Sequence, residues 1–188
     1  MKKYIIMILA SGILAAGCGK DDELELETSA EGKITGKVNG TDIGMATITS
    51  EVSTSGGSQV LYITARKDFE SYTKPTTNGK QLLIRIQPYT GVGTYTTTAQ
   101  SFWTYTDNIT VVDANNYSWK LHRYSTTETT GSMNVQITSD NTENGKRVIR
   151  GKFTGESGVT LMINGANETK PPLEVFKLTA IDFIAPHK

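Results

Sequence analysis

Ser132–Phe153 reads SMNVQITSDNTENGKRVIRGKF. Met133, Val135 and Ile137 alternate with Asn134, Gln136 and Thr138, and Ile149, Gly151 and Phe153 alternate with Arg150 and Lys152. Successive side chains of an extended strand point to opposite faces, so period two places one set on a core and the other in water. Asn144-Gly145 falls between the two runs, and Asn-Gly supplies the positive φ angles that a tight hairpin needs. The stretch predicts two antiparallel strands joined by a turn.

The same pattern recurs outward from it. Leu82, Ile84 and Ile86 alternate with Leu83, Arg85 and Gln87; Tyr117, Trp119 and Leu121 alternate with Ser118, Lys120 and His122; Val159, Leu161 and Ile163 form a further run. Asn39-Gly40, Gly56-Gly57, Asn78-Gly79, Asn115-Asn116 and Asn164-Gly165 fall between runs. Thr, Ser, Gly and Asn are abundant and β-branched residues prominent, which favours strands and turns over helices. No long window shows helical periodicity. Arg66–Lys80 is polar, contains Pro75, and reads as a long loop with at most one helical turn. The expected fold is all-β: one antiparallel β-sandwich, with a partly closed barrel as the alternative, of about eight to ten strands.

The N-terminus follows different rules. Lys2 and Lys3 precede an apolar run from Tyr4 to Ala16, which ends at Gly17-Cys18. Charge, apolar segment and small-residue cleavage site make a signal peptide, and the run is well short of the roughly 20 residues that span hydrocarbon. Leu14-Ala15-Ala16-Gly17-Cys18 resembles a lipobox, with Ala15 where leucine is usual. Cys18 is the only cysteine, so it cannot form an intramolecular disulfide. Residues 1–17 are expected to be a lipoprotein signal peptide, and Cys18 the site of lipid attachment. Several acyl chains hold a protein on a membrane far more firmly than one, since each buried methylene adds about 0.8 kcal/mol.

Residues 18–32 form an acidic stretch without aromatics, expected to be a solvated tether. Within it Lys20-Asp21-Asp22 resembles the export signal that sends lipoproteins of the Bacteroidota to the outer leaflet of the outer membrane. Residues 33–188 then make one domain of ordinary size. Its opening Val38-Asn39-Gly40, the Gly93-Thr94-Tyr95 segment and the run from Gly131 through Asp140 to Phe153 carry a resemblance. Together they look like a set of small Bacteroidota-type surface lipoproteins with one β-sandwich domain of unknown function. The resemblance implies a fold and an outward-facing address at the cell outer membrane. It supplies no catalytic residue.

Chemistry is sparse. Lys and Arg together number 19, as do Asp and Glu; losing Lys2 and Lys3 leaves 17 against 19, a formal −2. A nucleic-acid partner would call for a basic surplus. The histidines are His122 and His187, too few beside a lipidated cysteine for a zinc site. Asp140–Gly145 starts like a calcium loop, but Thr142 and Gly151 stand where ligands belong, and a hairpin turn explains it. Gly155-Glu156-Ser157-Gly158 lacks the spacing of a nucleophile elbow. His122, between Lys120 and Arg123 on a predicted strand, reads as a surface or half-buried residue without a located partner. No metal or cofactor is expected, and the domain is read as non-enzymatic.

One cluster stands apart. Phe102-Trp103-Thr104-Tyr105 is followed by Asp107 and Asn108. In an extended segment Trp103 and Tyr105 share a face. Rings that stack on sugar, beside polar groups that take its hydroxyls, would make a glycan site of Trp103, Tyr105, Asp107 and Asn108. The competing reading buries both rings between the sheets. The expected function is thus a membrane-anchored binding domain for glycan or another envelope protein. The alternative is a structural or adhesion component of the envelope with no small ligand, and a hydrolase with two carboxylates facing across a cleft is the third reading. If the anchor reading holds, Cys18→Ser moves the protein from the membrane to the soluble fraction, whereas persistence in membranes contradicts it.

Overall fold

The computed structural model describes residues 31–69, 76–113, 118–126, 130–164, 167–169 and 175–188; for 108, 111–113, 118, 119, 159–164 and 167–169 it describes the backbone alone. Thirteen strands occur among these residues: β1 Lys33–Val38, β2 Thr41–Asp42, β3 Thr47–Ser55, β4 Ser58–Lys67, β5 Lys80–Ile86, β6 Gly93–Thr96, β7 Phe102–Asp113, β8 Ser118–Ser125, β9 Ser132–Glu143, β10 Lys146–Glu156, β11 Val159–Asn164, β12 Asn167–Thr169 and β13 Lys177–Pro186. The number exceeds the sequence expectation because β2, β6 and β12 are two to four residues long, too short to show a period. Arg66 and Lys67, expected in a loop, continue β4.

The strands form two antiparallel sheets that do not close into a barrel: β2-β1-β13-β10-β9-β6 and β12-β11-β8-β7-β5-β4-β3. The sandwich expectation holds. Two-residue turns close its hairpins where Asn-Gly and Gly-Gly were read. Asn39 and Gly40, Gly56 and Gly57, and Asn144 and Gly145 all have positive φ, the conformation that matches the twist of the flanking strands. Asn115-Asn116 and Gly165 lie outside the described residues.

β13 shows how the sheets meet. Phe176, just before it, packs on Tyr105 of β7 and Tyr124 of β8. Past its other end, His187 bridges to Ser50 of β3, and Ser50 Oγ donates to the Ala185 carbonyl at 3.0 Å. β7 and β3 are separated by β5 and β4, so β13 crosses the seven-stranded sheet rather than running along it. The main core fills that crossing: Ile63, Leu82, Ile84, Trp103 and Tyr105 from one sheet meet Val135, Ile149, Phe153, Leu178 and Phe183 from the other.

A bulge in β7 interrupts the alternation. Asp107 pairs with His122 and Thr110 with Lys120, so three steps on β7 match two on β8. The extra residue reverses the faces beyond it. Ile109 thereby joins Leu121 and Phe69 in a second small cluster on the outer side of the sheet. The Asn78 amide donates to the Ile109 carbonyl at 3.0 Å there. Leu121, read as part of the inter-sheet core, lies instead under Phe69, and Tyr124 supplies the inward ring of β8.

Glycine at 155 lets the sheets close. A β-carbon there would lie 2.6 Å from Trp103 Nε1 and 2.8 Å from Phe153 Cζ, both in ring systems locked in the core. Gly155→Ala is expected to lower unfolding stability by about 1–3 kcal/mol through overpacking, measured by denaturant titration. An unchanged midpoint contradicts this packing.

Candidate functional site

The aromatic cluster splits between the two faces of β7. Trp103 and Tyr105 are 0% and 1% exposed, so neither can receive a ligand, and the platform read from them is corrected. Trp103 Nε1 donates to the Ser132 carbonyl at 2.9 Å, satisfying its one polar atom inside the core. Its ring lies 6.1 Å from that of Phe153, edge on. The ring of Tyr105 is 4.9 Å from Phe176, and burial raises its phenol pKa above the ordinary value. The reading that packs these rings between the sheets is the one the fold adopts. Asp107 is only partly exposed, and burial raises its carboxyl pKa against the opposing pull of His122 and Lys80. Asn108 has its side chain outside the described residues.

His122 does have a partner. It stands directly across from Asp107 in the β7–β8 register, and the Tyr124 hydroxyl lies 3.4 Å from its Nδ1. Carboxylate and imidazole are two parts of an acid–base relay. The third group here is a phenol whose ring is stacked 3.9 Å from Phe176, which makes it a packing group rather than a nucleophile. Among the described residues no three His, Cys, Asp or Glu side chains gather as a metal site.

The shift of one residue that hides Trp103 turns Phe102 and Thr104 outward. In register with Phe102 stands Arg85 of β5, then Tyr62 of β4, then Glu51 of β3. These four form a row across the outer face of the seven-stranded sheet. Tyr62, Arg85 and Phe102 each keep part of their surface in solvent. The Arg85 guanidinium lies 5.9 Å from the Tyr62 ring centre and 5.7 Å from that of Phe102, within cation–π range of both. Next to this row lie Thr49, Thr64, Leu83 and Thr104, again in register.

The row is braced from behind. Arg85 Nη1 donates to the Gln100 carbonyl and Nη2 to Gln87 Oε1. Gln87 Nε2 in turn donates to the Ser55 carbonyl at 3.0 Å and to Ser58 Oγ at 2.9 Å. The Gln87 amide and carbonyl are both bonded to Ser101 Oγ at 2.9 Å. Arg85 is thus held by side chains that are themselves held, which removes ordering cost from any ligand contact.

Two other features compare unfavourably as binding sites. A shallow depression of about 330 Å³ on the six-stranded sheet is lined by Lys33, Thr35, Thr138, Arg150, Gly151 and Asp182, among others. Its charges are answered internally, with Arg150 on Glu143 and Lys152 3.7 Å from Asp182. The second feature joins Tyr89, Asp140 and Arg147. The Tyr89 hydroxyl donates to Asp140 Oδ2 at 2.7 Å, and Arg147 donates to both Asp140 oxygens at 2.6 Å. With the Arg147 guanidinium 5.9 Å from the Tyr89 ring, this cluster ties the end of β5 to the β9–β10 hairpin and reads as structural.

Sequence reasoning placed Arg85 on the face opposite Leu82, Ile84 and Ile86 but did not single it out. It missed Tyr62, because Val60-Leu61-Tyr62-Ile63 is apolar at successive positions and hides its period. Compared with known protein families, curated proteins and solved structures, the chain matches none. The fold places it in the class of all-β two-sheet sandwiches.

The Arg147 hydrogen bonds hold the Asp140 carboxyl below its ordinary pKa. The unfolded value is about 3.9, so the pair contributes stability above that pH, and the contribution disappears as pH falls through the lower folded value. Asp140→Asn should be about 1–3 kcal/mol less stable near pH 7. The stability difference from the wild type should shrink as the pH falls below the unfolded value. A difference that stays constant with pH contradicts the assignment.

Proposed function

We propose that this chain is a lipoprotein of the Bacteroidota type, held in the outer membrane by acyl chains on Cys18 and facing outward, whose sandwich is a non-enzymatic glycan-binding module. The anchoring half is supported by the leader, by the solitary thiol at its end and by Lys20-Asp21-Asp22 just behind it. The observation that carries the binding half is the Tyr62–Arg85–Phe102 row. It sets two partly exposed rings at one level of a flat sheet, with a braced polar group between them. Pyranose rings present C–H faces that stack on aromatic surfaces, while their hydroxyls take hydrogen bonds from groups set between the rings. The adjacent Thr49, Thr64 and Thr104 add hydroxyls of both donor and acceptor character.

A flat site on a sheet face suits an extended polymer better than a small molecule, which binds best in an enclosing cleft. A purely structural or adhesive component would not require this row to remain open.

The test is binding of the purified domain to an array of neutral and acidic polysaccharides. Wild type is expected to bind at least one of them. Phe102→Ala should weaken that binding about fivefold, the equivalent of about 1 kcal/mol for one aromatic contact, with little change in melting temperature. Failure to bind any polysaccharide, or binding indifferent to both Phe102→Ala and Tyr62→Ala, rules the reading out.

A further inference from the structure

The row also carries a charge that the fold leaves unanswered. We propose that the glycan it takes is acidic: a uronate-containing polysaccharide whose carboxylate is read by Arg85 while its sugar rings lie on Tyr62 and Phe102. The inference rests on the binding reading above and names its ligand class.

A guanidinium has five N–H donors. Arg85 uses three of them, on the Gln100 carbonyl, on Gln87 Oε1 and, from Nε at 3.4 Å, on the Tyr62 hydroxyl. All three acceptors are neutral. Nη1 and Nη2 each retain one N–H beyond these bonds, and guanidinium N–H groups are well matched to carboxylate oxygens. Among the described residues no carboxylate pairs with Arg85. Two further arginines, Arg147 and Arg150, each hold one, Asp140 and Glu143 respectively. Fixing a guanidinium with uncharged partners leaves its charge available to an incoming anion.

The surrounding face agrees in sign. Near the row, the outward positions of β3, β4 and β5 carry Arg66 and Arg85 against Glu51. Glu51 lies at the end of the row, two strand spacings from Arg85, or about 10 Å. Arg66 sits four residues along β4 from Tyr62, with a buried Nε that has no hydrogen-bond partner. A single anionic group would meet Arg85 between its two rings.

Polygalacturonate and its methyl-esterified form separate charge from shape, because esterification removes the carboxylate charge and keeps the sugar ring. Wild type is expected to bind the acid form about tenfold more tightly, as a charge-assisted hydrogen-bonded pair predicts. Raising the salt concentration should erode that preference. Arg85→Gln should abolish the preference, and Arg85→Lys, which keeps the charge but loses the fork, should retain part of it. Equal binding of the two forms by wild type overturns the proposal, as does a preference that survives in folded Arg85→Gln. If Arg85→Gln does not fold, the esterification comparison on wild type decides. Binding confined to neutral glycans sinks this inference and leaves the glycan reading standing; binding to none sinks both.

Discussion

Phe176 lies between the sheets with its ring stacked 3.9 Å from Tyr124 and 4.9 Å from Tyr105, and Trp103 stands 6.3 Å away on its other flank. Much of the fold depends on this contact. Crossing sheets touch over a limited patch, so the residues at the crossing must fill more volume than aliphatic side chains supply. The four rings do so, and the backbone around them is fixed to suit. Phe176 exchanges hydrogen bonds with Ser157 at 2.8 and 3.1 Å, while Asn39 receives the Lys177 amide at 2.8 Å. The β1–β2 turn, the end of β10 and the start of β13 are thus all brought to the same point.

This contact also decides which face of the seven-stranded sheet is left for function. Trp103 and Tyr105 cannot turn inward without turning Phe102 and Thr104 outward, because the side-chain period of a strand is two. The pairing of β7 with β5 then sets Phe102 beside Arg85, and the pairing of β5 with β4 sets Arg85 beside Tyr62. The Tyr62–Arg85–Phe102 row is a by-product of the core register. A substitution that slipped β7 by one residue would lose the core and the row together.

The alternating runs and Asn-Gly turns made the sandwich legible, since both act over a few residues. Arg85 was legible as an outward position for the same reason. What could not be read was adjacency. Nothing near residue 62 announces that it faces residue 85, or that residue 85 faces 102, because strand order is set by the whole fold. The bulge at Asp107–Thr110 was equally hidden. One extra residue sent Ile109 to the outer side, where a pattern of strict alternation places it in the core. The platform read from Trp103 and Tyr105 lies on the buried face of its strand.

The sheets end in very short strands. Among the described residues β2, β6 and β12 have two, four and three residues, and the long edge strand β3 has the Ser50 carbonyl occupied by the Lys188 amide at 3.1 Å. An open edge offers unpaired amides and carbonyls to any neighbouring chain. A protein tethered to a bilayer shares a plane with its own copies and meets them far more often than it would in free solution. On the proposed anchor, blunted edges would let such molecules crowd together without knitting into a continuous sheet.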